Sequence, residues 1–301
     1  MRPFVSVPKQ IRIAGVPEHF NLPWHLAIEK GIFEQAGIQV SFEEYPGGTG
    51  AMTKALRSGD ADLAVVLTEG IVADIIKGNP SKILQPYVLS PLIWGIHVAS
   101  DSKIMDINEI QGKTYAISRF GSGSHLMAIV DAVDRGWDPA EMNFELIQNL
   151  EGARSALQVG KADIFFWERF MTQPYIDLGE FRRIGVRLTP WPCFMIAARE
   201  SFIEESPEAV QLILNIINEE TAALISNQDA VSLIADRYQL EEEEVEHWRS
   251  RTEWNHKPEI DPAIIETVVE SLAKAGIITE SDIVAESLII QPKNLLIASN
   301  G

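Results

Sequence analysis

Apolar positions first gather in "RIAGV", a β-type run, and then at Leu22, Leu26 and Phe33, whose spacing is helical. Pro23 suits the first turn of that helix, and Asn21 is its candidate cap. "IQVSFEEY" starts with a period of two and predicts a strand. Ala51, Met52, Ala55 and Leu56 then form a helical stripe that Gly59 stops. "ADLAVVL" is an unbroken apolar run, the form a strand takes when its sheet is covered on both faces. Ile71, Val72, Ile75 and Ile76 make a further helical stripe, ended by Gly78.

This order of elements recurs. "ALRSGDADL" (55–63) returns as "ALQVGKADI" (156–164), in the frame Ala-Leu-x-x-Gly-x-Ala-Asp-Leu/Ile. The same displacement lays "IRIAGV" over "GKTYAI" and "IQVSFEEY" close to "MNFELI", so the chain holds two copies of one α/β unit. Alternating β and α predicts sheets with parallel cores. "PLIWGIHVA" (91–99) reads as an extended crossing and "TPWPCFMIAA" (189–198) as the return. From Pro207 the pattern is mostly helical, through Ile213, Ile216 and Ile217 and later Ile264, Ile265, Val268 and Val269. The expected class is α/β, with two Rossmann-like lobes and a hinge of two crossing segments. Residues 1–97 with 193–301 form lobe one, and 98–192 form an inserted lobe two.

The totals narrow the function. In 301 residues, 25 Lys and Arg stand against 43 Asp and Glu, a net charge of −18. Nucleic acid and anionic membranes both need basic surface, so neither is expected as a partner. "EEEEVEH" (241–247) reads as a solvated helix face. Cys193 stands alone, which rules out an intramolecular disulfide and a cysteine metal cluster. No apolar run reaches the roughly 18 residues of a membrane span. "MRPFVSVPKQIRIAG" lacks the apolar core of a secretory signal. The expected location is therefore cytoplasmic, or periplasmic or cell-surface if a leader has been removed.

"EKGIFEQAGIQV", "ALRSGDADLAV" and the Gly-Ser turn after the first strand of lobe two give residues 10–200 a resemblance to known proteins. The chain resembles the type 2 periplasmic binding proteins, and within them the alkanesulfonate and thiamine-precursor (pyrimidine) binding family. "LTEGIVADIIKGNP" also looks like a sub-group of signal-less, stand-alone relatives. The resemblance implies a non-catalytic receptor that closes two lobes on a small organic ligand, without a cofactor. It serves uptake through an ABC permease, or sensing inside the cell. The alternative is an enzyme of thiamine-pyrimidine or related cofactor biosynthesis on the same fold. That branch is marked by a lysine and a histidine near the third strand and a cysteine-rich iron segment. Here those regions read "AVVLTEGIV" and "WPCFM", without the lysine or histidine and with Cys193 alone. Neither ligand identity nor oligomeric state follows from the sequence.

In open α/β sheets ligands bind beyond the carboxyl ends of the strands, which points to six loops. In lobe one these are 17–24, 46–50 and 67–70, carrying His19, Phe20, Asn21, Trp24, Gly48, Thr49, Thr68 and Glu69. In lobe two they are 118–125, 149–152 and 167–170, carrying Arg119, Gly121, Ser122, Gly123, Ser124, His125, Trp167 and Glu168. Trp94 and Trp191 lie in the crossings. "SRFGSGSH", between a strand and a helix, can offer N–H groups and hydroxyls to an oxyanion, or can simply cap its own helix. It has no Gly-Lys-Ser/Thr ending and so is not a nucleotide P-loop. Glu69 and Glu168 can accept hydrogen bonds from an amine or a protonated ring nitrogen, or serve as first-turn helix acids. The indoles can stack on a planar ligand or pack the core. His19, His25, His97 and His125 are not spaced as a metal pair on one helix face, so no metal site is expected. No catalytic residue is assigned.

Overall fold

The structure is a computed structural model that describes residues 10–279 and 283–291. The start of the chain read for a leader, residues 1–9, lies outside the described residues. The chain forms two compact units. Among described residues, unit one holds 10–90, 192–267 and 283–291, and unit two holds 91–191 and 268–279.

Unit one begins β1 (Ile11–Gly15), α1 (Leu22–Glu29), α2 (Ile32–Gln35), β2 (Val40–Glu44), α3 (Thr49–Ser58), β3 (Leu63–Leu67), α4 (Thr68–Ile76) and β4 (Ser81–Val88). Unit two contains β5 (Ile93–Ala99), β6 (Thr114–Ile117), α5 (Gly123–Asp134), β7 (Asn143–Leu146), α6 (Leu150–Gln158), β8 (Ile164–Glu168), α7 (Gln173–Asp177) and β9 (Phe181–Leu188). The chain continues through β10 (Phe194–Arg199), α8 (Glu200–Glu205), α9 (Pro207–Ser226), α10 (Ala230–Tyr238), α11 (Glu242–Arg249) and α12 (Pro262–Lys274).

One sheet runs β2-β1-β3-β10-β4 and the other β7-β6-β8-β5-β9. In each, the first three strands are parallel and the fourth is antiparallel to both neighbours. The two sheets share one topology, and each takes its antiparallel inner strand from one of the chain's crossings. β5 is therefore wholly part of the second sheet, so the division falls at residues 90 and 91 rather than at 97 and 98.

The repeated motif has a physical job that both copies perform. Gly59 and Gly160 end their helices at φ 77° and 69°, in the left-handed region that glycine tolerates. Past each glycine the chain turns back onto the Ala55 or Ala156 carbonyl. The aspartate then fastens the next strand to the first one. Asp62 accepts the Arg12 N–H and Asp163 the Thr114 N–H, each at 2.9 Å. Asp62 also binds the Arg12 and Arg199 guanidinium groups. Burial alone would push its carboxyl up, but hydrogen bonds from both arginines hold it below the usual carboxylate range.

Helix α6 approaches β7 more closely than a side chain permits. A Cβ on Gly152 would lie 1.9 Å from the Ile147 carbonyl oxygen, a backbone atom that cannot swing aside. Gly152→Ala is expected to lower stability by about 1–3 kcal/mol in urea denaturation. Gly160→Ala, with nothing within 4 Å, carries only the left-handed backbone cost, about 1–2 kcal/mol. The glutamate run behaves as a solvated face: α11 buries only Val245 and Trp248.

Candidate functional site

The carboxyl ends of the parallel strands carry most of the candidate residues, and each unit uses them differently. In unit one most of them are spent on holding the loops. Asn21 occupies the N-cap position of α1 but makes no side-chain cap; its Nδ2 donates to the Val16 carbonyl at 2.8 Å and braces the loop. Phe20 is buried, and its carbonyl accepts from Tyr87 Oη at 2.8 Å and Trp254 Nε1 at 3.0 Å. His19 stacks on Phe20 and meets Trp248 edge-on at 4.0 Å between ring centres. Burial pushes the His19 imidazole down to about 3, so it is neutral, and its Nε2 has no hydrogen-bond partner.

Trp24 is not a loop residue. It sits inside α1, which starts at Leu22 as Asn21 and Pro23 predict, and is fully buried among Phe33, Phe42 and Tyr87. Thr49 Oγ1 accepts the Leu67 N–H at 3.1 Å, beside Gly70, where a Cβ would overlap the Thr49 methyl. Gly48 precedes α3 at φ 66°. Thr68 donates its N–H to the Cys193 carbonyl at 3.1 Å and its hydroxyl to Pro192, which pins the end of β3 to the start of β10. Glu69 is buried in the first turn of α4. Cys193 is a buried thiol.

Unit two groups its candidates more tightly. Side chains alternate between sheet faces, and Trp94 of β5 pairs directly with Glu168 of β8 and Arg187 of β9. These residues therefore share a face with Ile96 and Phe166. Tyr115 of β6 pairs with Ile164 and lies on that face as well, its ring 6.1 Å from Phe166. Helix α5 covers the same face, since its Asp131 and Asp134 bind Arg187. α5 begins where β6 and β8 end, and its Ser124 Oγ accepts the Ser118 N–H at 3.1 Å. The start of α5, Trp94 and Glu168 thus occupy one end of one face.

At that start, Ser122 caps the helix by accepting the His125 N–H at 3.3 Å. Ser122 and Ser124 hydroxyls bond each other at 3.1 Å. Gly121, at φ 77°, donates its N–H to His125 Nδ1 at 3.1 Å, which places the imidazole proton on Nε2. Burial holds His125 below its ordinary range. The Ser122 N–H goes to the Arg119 carbonyl. The capping expectation is met, and two N–H groups, those of Gly123 and Ser124, are left with no backbone or side-chain acceptor among the described residues. Trp94 is 4% exposed, and its Nε1–H also has no partner.

Glu168 is 6% exposed. Its Oε2 accepts the Met171 N–H at 2.7 Å. Burial pushes its carboxyl up to about 7, against the Met171 and Phe170 N–H groups and the charges of Arg183 and Arg169.

Other lobe-two candidates lie elsewhere. Trp167 is a strand residue on the opposite face, stacked on Phe165 at 5.2 Å, because β8 runs one residue beyond it. Trp191 is buried, and its carbonyl accepts from Thr189. The Arg119 side chain is exposed.

The opposite face also holds a network that the pattern of the sequence did not single out. His97 Nδ1 faces the Phe165 carbonyl at 3.2 Å, while Nε2 meets Thr172 Oγ1 at 2.9 Å and Arg183 Nε at 3.4 Å. Its one sequence signal is Gly95: a Cβ there would fall 2.3 Å from the His97 ring. Burial first, and then the Arg183 charge, push His97 down to about 3. Among the described residues no group of three or more His, Cys, Asp and Glu could hold a metal ion. No described helix is long and apolar enough to cross a membrane.

Two sheets of this shared topology, each offering loops at its carboxyl edge, define the periplasmic binding protein fold of type 2. Comparisons give the resemblance particular members. Residues 94–186 match the family described as Ca3427-like PBP. The Candida albicans CA3427 gene product, described as having the generic periplasmic binding protein structural fold, is 26% identical with a TM-score of 0.86, over 94% of this chain and 97% of that one. The alkanesulfonate-binding protein SsuA from Xanthomonas axonopodis pv. citri, bound to MOPS, is 15% identical with a TM-score of 0.78, over 95% and 99%. The ligand-binding component of an ABC-type import system from Staphylococcus aureus is 14% identical with a TM-score of 0.74, over 98% and 100%. Among curated proteins none matches the chain.

Proposed function

We propose that this protein is a non-catalytic receptor for a small organic anion, of the sulfonate or carboxylate kind, acting in ABC-type import or in sensing. The observation that carries the reading is the start of α5. Two N–H groups without acceptors stand at a helix N-terminus, whose dipole favours negative charge. A buried indole N–H without a partner lies at the same end of the same face. The similar structures named as sulfonate-binding and import components support solute binding. A second reading, a thiamine-type aminopyrimidine, draws on the buried carboxyls of Glu69 and Glu168, which can accept from an amine.

Gly123→Pro tests the anion reading at a single atom. Proline is favoured at the first helical position, and Ser122, at φ −78° and ψ 166°, already has the extended backbone that a following proline needs. The variant is expected to fold and to remove one N–H. Calorimetry with ethanesulfonate should show binding to the wild type and about 10–100-fold weaker binding to the variant, the value of a hydrogen bond to a charged group. Binding of an aminopyrimidine but no sulfonate or carboxylate would decide for the second reading. Turnover of either compound by the wild type would replace a receptor with an enzyme.

A further inference from the structure

The candidate site places an acidic side chain beside donors that suit an anion. Glu168 and Trp94 are directly opposed across β8 and β5, so their Cβ atoms lie about 4.5–5.5 Å apart. Both are buried, yet the Trp94 Nε1–H has no partner, so it does not donate to the neighbouring carboxyl. The hydrogen bonds that Glu168 does receive come from the backbone N–H groups of Met171 and Phe170. An ionised Glu168 here would repel the anion that the start of α5 and the Trp94 N–H attract. A protonated one would become a further donor to it.

We propose that Glu168 is a specificity-determining residue that carries a proton when the site holds an oxyanion, so that each anion enters together with one proton. This inference rests on the anion-receptor reading. The carboxyl O–H donates to the bound oxyanion, while the other oxygen keeps the Met171 N–H. The same residue in its ionised form would receive an ammonium or a protonated ring nitrogen. The choice between anion and cation is thereby tied to proton activity.

The surrounding charges set the range over which this operates. Arg169 from the following turn and Arg183 from β9 favour the ionised form, and burial outweighs them, leaving the carboxyl poised near neutrality. Arg187, opposite Trp94, is paired with Asp131 and Asp134 of α5. Tyr115 of β6, on the same face, has a phenol raised by burial and stays neutral. His125 of α5 is held neutral, with its Nδ1 occupied by the Gly121 N–H. The exposed Arg119 stands in the loop that leads into α5. His97 of β5 lies on the other face and stays neutral above about 3.

The test is ethanesulfonate affinity from pH 6.5 to 8.5, a range in which a sulfonate does not titrate. The dissociation constant of the wild type is expected to rise about 10–30-fold across it, the linkage of one group ionising near neutrality. Calorimetry at pH 8 in Tris and in triethanolamine, neither of them an oxyanion, should count close to one proton taken up per sulfonate bound. Glu168→Gln keeps an acceptor for the Met171 N–H and cannot ionise; its affinity should be flat with pH and its proton count near zero. Trp94→Phe should weaken binding at every pH and keep the slope. A flat wild-type profile, or a slope that survives in Glu168→Gln, overturns the proton linkage and leaves the receptor reading standing. If neither ethanesulfonate nor acetate binds at any pH, the receptor reading falls and the linkage falls with it.

Discussion

Trp24→Ala is expected to cost about 3–5 kcal/mol of stability, the range for removing a large buried aromatic, and to be read as a lower denaturant midpoint. The indole is fully buried in unit one, with Phe33, Phe42 and Tyr87 around it, and truncation leaves a cavity that these rigid rings cannot close. Trp94→Phe should behave differently. It keeps most of the apolar packing and removes an N–H that is buried without a partner. The Trp24 indole N–H is likewise buried without a partner, so the relief of about 1–3 kcal/mol from losing such a group applies to both, and the difference is set by the volume each variant removes. Its stability loss should therefore be well below that of Trp24→Ala, while its ethanesulfonate affinity falls. A loss of stability in Trp94→Phe with unchanged ethanesulfonate affinity would show that Trp94 is core alone.

The contrast between these two tryptophans shows where the sequence is informative. The self-match of 55–63 with 156–164 is legible because Gly59 and Gly160, and Asp62 and Asp163, each do the same local job, and local jobs leave short motifs. The parallel cores were legible from unbroken runs such as "ADLAVVL", now β3. Which face a side chain takes depends on where a strand stops, and no motif records that. The sequence pattern places Trp167 with Glu168 in a loop, but β8 runs through both, and one residue of offset sends the indole to the far face. The Gly-Ser turn was legible as a helix start. Its division between capping and open N–H groups depends on Ser118 and on the His125 tautomer, contacts set by three-dimensional placement.

Glu168→Gln is expected to make unit two lose stability sooner on acidification than it does in the wild type. His19 in unit one and His97 in unit two are both buried neutral, with values near 3 against 6.5 when unfolded. Between those limits the unfolded chain holds a proton that the folded one does not. Each histidine therefore removes about 1.4 kcal/mol of stability for every pH unit of descent from 6.5 towards 3. Glu168 has the opposite sign. Its folded value is raised to about 7 from 4.5, so between those values the folded state holds the extra proton and gains stability as pH falls. Within unit two, Glu168 therefore offsets the His97 slope from about 6.5 to 4.5, while His125, also lowered by burial, adds to the losses. In unit one, Asp62, held low by its arginines, adds to the His19 losses at still lower pH. Hydrogen exchange should show β8 amides losing protection between pH 6.5 and 4.5 sooner in Glu168→Gln than in the wild type. No change in β8 with the substitution would mean that Glu168 is ionised in the folded protein at neutral pH.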